Sequence, residues 1–120
     1  MKKILMAAVL AAVLSCAWSE EPALPDSFKG VVPVFSGARI VLSADTGEGM
    51  QVLLRSNGTV LEIIEFYRKA MRENGWIESA QVAVPDGRTV AFQKGGRSLA
   101  VTALKPAGEE AHVTLFLTRG

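Results

Sequence analysis

The sequence has one cysteine, Cys16, and one histidine, His112. A single thiol excludes an internal disulfide, so packing alone must hold the folded part. A single imidazole cannot build a multi-histidine metal centre, and a Ser-His-Asp system would have to draw on distant residues. Charge of one sign is also missing. Thirteen basic residues face 12 acidic ones, for a net charge of +1. Without Lys2 and Lys3 the balance becomes 11 against 12, leaving no field that would collect nucleic acid. The longest apolar run, residues 4–14, has eleven members, where a membrane-spanning helix needs about 20.

Candidate chemistry is equally sparse. Asp45 and Glu48 offer too few ligands and the wrong spacing for calcium. Gly47, Gly49, Gly95 and Gly96 sit in expected hairpins and open no helix, so they form no phosphate cradle. The pair Glu109 and Glu110 reads as a solvated turn. An enzyme would need acids such as Glu62, Glu78 or Asp86 to converge, and periodicity does not bring them together. The expectation is therefore a protein with no catalytic residues, no metal and no cofactor.

What is present begins at the N-terminus. Lys2 and Lys3 precede the apolar run, and the small residues Ser15, Cys16 and Ala17 follow it. This is the layout of an export signal. Val13-Leu14-Ser15-Cys16 resembles a bacterial lipobox, with an aliphatic residue at −3, a small residue at −1 and cysteine at +1. The resemblance implies cleavage before Cys16 and acylation of its thiol and new amino group, which would anchor the chain in a membrane. The residue after the cysteine is Ala17 rather than Asp, which by the same resemblance implies the outer membrane, at its periplasmic face. Ordinary signal cleavage stays open, because Ser15/Ala17 and Ala17/Ser19 also place small residues at −3 and −1; the product would then be a soluble periplasmic or secreted protein. The expected organisation is a signal over residues 1–15, a lipidated cysteine and extended tether over 16–30, and one domain over 31–120. The tether assignment rests on Pro22, Pro25, three acids and no apolar period over residues 17–30.

In the domain, Thr59-Val60-Leu61-Glu62 has the form of a helix capping box. Val60, Ile63, Ile64, Tyr67, Ala70 and Met71 then recur at steps of three and four, giving one apolar stripe. Asn74-Gly75 is a stop signal that places Trp76 against Met71. Tyr67 and Trp76 are therefore expected in the core. Elsewhere the pattern alternates with period two. Strands are expected over 39–44, 50–55, 77–84, 89–94, 98–104 and 112–118, most of them joined by hairpin turns. Pairing Ala44 with Met50 would set Ile40 opposite Leu54, Leu42 opposite Val52 and Val41 opposite Leu53. It would also set Arg39 opposite Arg55, two like charges across a ladder. The fold class is thus α+β in two layers: a mainly antiparallel sheet, β-β-α-β-β-β-β, with one helix packed on one face.

Two stretches, Pro33-Val34-Phe35-Ser36-Gly37-Ala38 and Phe66-Tyr67 with Gly75-Trp76, resemble small bacterial lipoproteins and secreted domains of uncharacterised function. The resemblance implies an exported domain of this type with no enzymatic activity. The expected role is a non-enzymatic interaction module of the cell envelope, tethered to the membrane through Cys16 and meeting an envelope protein. Arg39 and Arg55 are its candidate binding residues, for an anion or an acidic partner. The alternative is a carrier or sensor that holds a small apolar or anionic ligand between sheet and helix.

Overall fold

A computed structural model describes residues 23–118. Cys16 and the expected signal lie outside the described residues. The chain forms β1 (Arg39–Asp45), β2 (Gly49–Ser56), α1 (Val60–Glu73), β3 (Ile77–Val84), β4 (Gly87–Lys94), β5 (Arg97–Leu104) and β6 (Ala111–Thr118). The six strands make one sheet in the order β1-β2-β6-β5-β4-β3, and every neighbouring pair is antiparallel. With one helix among the described residues, the domain is α+β. The last strand inserts between β2 and β5, so residues far apart in sequence become neighbours there.

α1 forms where the sequence signals place it. The Thr59 hydroxyl accepts from the Glu62 N–H at 3.1 Å, and the Glu62 carboxylate accepts from the Thr59 N–H at 2.9 Å. These hydrogen bonds hold the Glu62 carboxyl below its ordinary value. At the far end Gly75 takes φ +85, which permits its N–H to bond Arg72 and that of Trp76 to bond Met71. Thr59→Ala should cost about 1 kcal/mol, read as a lower urea midpoint at unchanged slope. Ile63, Ile64, Tyr67 and Met71 are buried, and α1 lies over β3, β4 and β5.

The helix is too short to cover the whole sheet. The chain before β1 covers the rest. Phe28 and Val32 are as buried as any residue in the core, with Leu24, Val31, Val34 and Phe35 packed around them. Pro25 to Ser27 share a groove with Met50 of β2 and Leu117 of β6. A tight turn holds the segment: the Phe28 N–H bonds Pro25 O, and Phe28 O accepts from both Val31 and Val32. The expected boundary at residue 31 is thus corrected. Residues 24–30 belong to the domain rather than to a tether. Proline and acid content was misleading because a single deeply buried aromatic needs no periodic pattern.

One register also differs from expectation. β1 pairs Arg39 with Arg55 and Ile40 with Leu54, but it slips at Val41, so Leu42 meets Leu53 and Ser43 meets Val52. A one-residue bulge moves each later side chain to the other face. Leu42, expected on the same face as Ile40, stands on the opposite one.

Candidate functional site

The inner face of the sheet carries Val52, Leu54, Val90, Phe92, Leu99, Val101, Val113 and Leu115, all at most 1% exposed. The buried side chains of α1 pack over those of β4 and β5, and Phe28 and Val32 join the same core. Together these side chains form one continuous apolar core. The depressions found among the described residues are grooves open to solvent. One of about 420 Å³ is lined by Val60, Leu61, Ile64, Asp86, Gly87 and Arg88 at the start of α1. Another of about 400 Å³, lined by Arg68, Arg72, Trp76, Ile77, Glu78 and Phe92, lies between α1 and β3.

The two stretches of the lipoprotein-like pattern meet in space. Phe35 packs edge-on against Phe66 at 5.3 Å, and Phe66 against Tyr67 at 5.0 Å. The Phe35 N–H donates to the Tyr67 hydroxyl at 3.1 Å. These aromatics clamp the segment before β1 onto the helix, which is a packing role.

Among the described residues no helix lies on the outer face of the sheet. Cross-strand pairing sets rows across all six strands. One row runs Leu42, Leu53, Thr114, Thr102, Thr89 and Val82. The next runs Ala44, Gln51, Phe116, Ala100, Ala91 and Ala80. Leu42 is 45% exposed, Val82 53% and Ile77 72%. The surface is thus broad, weakly polar and apolar at both margins. A Thr89–Thr102 hydroxyl contact at 2.9 Å satisfies its centre internally.

At one end of this face stands a charged row. Arg39, Arg55 and His112 are successive cross-strand neighbours on β1, β2 and β6. Like charges so placed would repel, but Glu110 comes down beside them. Its carboxylate accepts from both Arg39 guanidinium nitrogens, at 2.9 and 2.7 Å. These bonds, with the charges of Arg39 and Arg55, hold the Glu110 carboxyl below its ordinary 4.5. The reading of Glu110 as a solvated turn is therefore corrected. No local signal could have revealed it, because its position depends on β6 lying beside β2. Arg55 has no hydrogen bond or ion pair among the described residues. His112 Nε2 is shielded from solvent and lies 3.4 Å from Glu109 Oε1 without hydrogen-bond geometry. Glu110→Gln should lower the melting temperature, and more at low salt than at high salt. A depressed carboxyl stabilises above its unfolded value and ceases to as pH falls through its folded one. The Gln variant should therefore lose less stability than the parent as pH drops below 4.5.

The acids considered for catalysis do not converge. Glu62 caps α1 and Glu78 bonds Arg68 at 2.7 Å. Asp86 occupies the turn after β3 with φ 63. Among the described residues no group of three or more His, Cys, Asp or Glu could hold a metal ion, and no helix is long and apolar enough to cross a membrane.

Among the described residues the geometry defines a one-helix sheet domain with an apolar core, an outer face that no helix covers and open grooves at the helix ends. A family model described as START domain-like matches residues 34–112, and the chain belongs to that family. The match takes in β1 to β5, the helix and the first two residues of β6. No curated protein and no solved structure matches the chain.

Proposed function

We propose that this chain is a lipid-anchored protein of the bacterial cell envelope, held through Cys16 at the periplasmic face of the outer membrane. It acts there without catalysis, as an interaction module for another envelope protein. The observation that supports this reading is the outer face, which no described helix covers, with Leu42, Val82 and Ile77 exposed along its margins. Lipid on Cys16 accounts for a lone thiol behind an export signal, and several acyl chains anchor stably at about 0.8 kcal/mol per buried methylene.

The test joins anchor and surface. Intact mass of the membrane-fraction protein should show a chain starting at Cys16 with acyl groups, and Cys16→Ser should release it from the membrane. A photo-crosslinking residue at Leu42 or Phe116 should trap one discrete envelope protein in cells. Full-length unlipidated chain in the cytosol, together with no adduct at either position, would overturn the proposal.

A second reading is favoured by the family, since a START domain-like chain points to ligand binding. The seat would be the groove at the start of α1, where Leu61 is 63% exposed beside Arg88. An apolar chain ending in an acid fits that pairing. Decanoate and decyl phosphate should then raise the melting temperature, and Leu61→Asp should cancel the rise. No shift with either compound removes this reading.

A further inference from the structure

We infer that the free edge of β3 receives an extended segment of the partner protein, which adds as a seventh strand and directs an acidic side chain at Arg72. This rests on the interaction-module reading and names the seat and chemistry of its partner. Among the described residues β3 pairs only with β4, and no described strand lies along its outer side. Seven of its eight residues are exposed, including Ile77 and Val82.

Sheet edges in monomeric proteins are usually guarded by proline, outward lysine or a covering segment. β3, Ile-Glu-Ser-Ala-Gln-Val-Ala-Val, has neither proline nor lysine. Its one charge, Glu78, is turned onto Arg68 at 2.7 Å. Gln81 is likewise held, by Arg88 at 2.6 Å. Among the described residues its guard is the register irregularity between Glu78 and Ala80. The opposite edge is treated differently. β1 carries charges at both ends and a bulge, and the Ser43 hydroxyl donates to Ala23 O at 2.8 Å, so the N-terminal segment lies against it. One edge is defended and the other is left open.

The groove between α1 and β3 supplies specificity. Trp76 and Phe92 line it as nearly buried apolar walls, with Arg68 and Arg72 at its side. Arg68 is committed to Glu65 at 3.0 Å and Glu78 at 2.7 Å. The Arg72 guanidinium has no ion pair or hydrogen bond among the described residues. An incoming strand places alternate side chains on opposite faces. Those on the outer face continue the apolar margin of Val82 and Ile77. One on the inner face enters the groove, where a carboxylate pairs with Arg72.

A second copy fits poorly. Two β3 strands that pair antiparallel with like faces matched must centre on Val82, because the irregularity at Ser79 breaks alternation in longer registers. That overlap runs only from Ala80 to Val84.

A random nonapeptide display library selected on the purified protein tests this. Enriched peptides should alternate apolar and polar residues around an acid. Binding of the leading synthetic peptide should slow amide exchange across residues 77–84. Arg72→Glu should weaken that peptide at least tenfold and re-select for lysine or arginine. A peptide methylated at the amides that face β3 should lose binding at least tenfold, with the protein itself unaltered. No enrichment, protection mapped to the outer face alone, or equal binding of the methylated peptide each overturns the β3 seat. A dimer in sedimentation that Val82→Lys dissociates overturns it too. In every one of these cases the Cys16 lipid and the crosslinks from Leu42 or Phe116 are unaffected, so failure of the seat is distinguishable from failure of the module.

Discussion

Phe28→Ala is expected to destabilise the domain by about 3–5 kcal/mol, the usual cost of truncating a fully buried aromatic. For a domain of this size that is a large share of a total stability of roughly 5–15 kcal/mol. Phe28 is 0% exposed, and its own N–H and carbonyl organise the turn that lays residues 25–32 on the core. Removing the ring empties that position while Val32 and Leu24 stay tied to it, so the cavity can close only in part. The measurement is a urea titration of the soluble domain, with the midpoint falling and the slope unchanged. The outcome separates two organisations of the chain. Were residues 16–30 a solvated tether, the same substitution would move stability by less than about 0.5 kcal/mol. A chain shortened to begin at residue 31 should likewise fail to unfold cooperatively, because the half of the inner sheet that α1 does not reach would face water.

The contrast between α1 and residues 24–32 shows what this sequence makes legible. The helix carries its own instructions. Thr59 and Glu62 cap one end, Gly75 stops the other, and the apolar residues between recur at the helical period. All of that physics acts over three or four residues, so it can be read locally. The antiparallel α+β class is legible for the same reason, since alternation and tight turns are local too. Phe28 is not, because one aromatic among prolines and acids has no period and its burial depends on a surface built from strands much later in the chain. The slip at Val41 is also hidden, as a bulge is chosen by what both faces of the strand must bury. Glu110 is hidden more deeply. Its contact with Arg39 spans 71 residues and exists only because β6 enters between β2 and β5. The facing arginines are visible from hairpin register, whereas the acid that makes them tolerable is a property of topology. The open edge of β3 belongs to the same class, since nothing within Ile77–Val84 states that no strand lies beyond it.

The second large effect concerns pH and the only tyrosine in the chain, Tyr67. Burial pushes its phenol well above the ordinary 10, and the hydrogen bond it accepts from the Phe35 N–H opposes that shift only in part. The sign follows from which state loses the proton first. In the unfolded chain Tyr67 ionises near pH 10, while in the folded domain it stays neutral far beyond that. The raised folded value therefore stabilises fully below pH 10. Above it the unfolded state binds fewer protons, and stability falls by roughly 1.4 kcal/mol per pH unit until the folded value is reached. By pH 12 the loss from this one group is roughly 2–3 kcal/mol. Tyr67→Phe should start lower at neutral pH by about 1–2 kcal/mol, because the Phe35 N–H loses its acceptor. It should then hold its stability more evenly between pH 10 and 12, so the two profiles converge. The absorbance of phenolate near 295 nm reads the same event without interference from another tyrosine. It should rise together with the loss of far-ultraviolet circular dichroism, as a single transition, and not near pH 10 in the intact fold. Phenolate appearing near pH 10 with the helix still folded would mean that Tyr67 meets solvent. The aromatic clamp between Phe35, Phe66 and Tyr67 would then be open, and the segment before β1 would have lost its hold on α1.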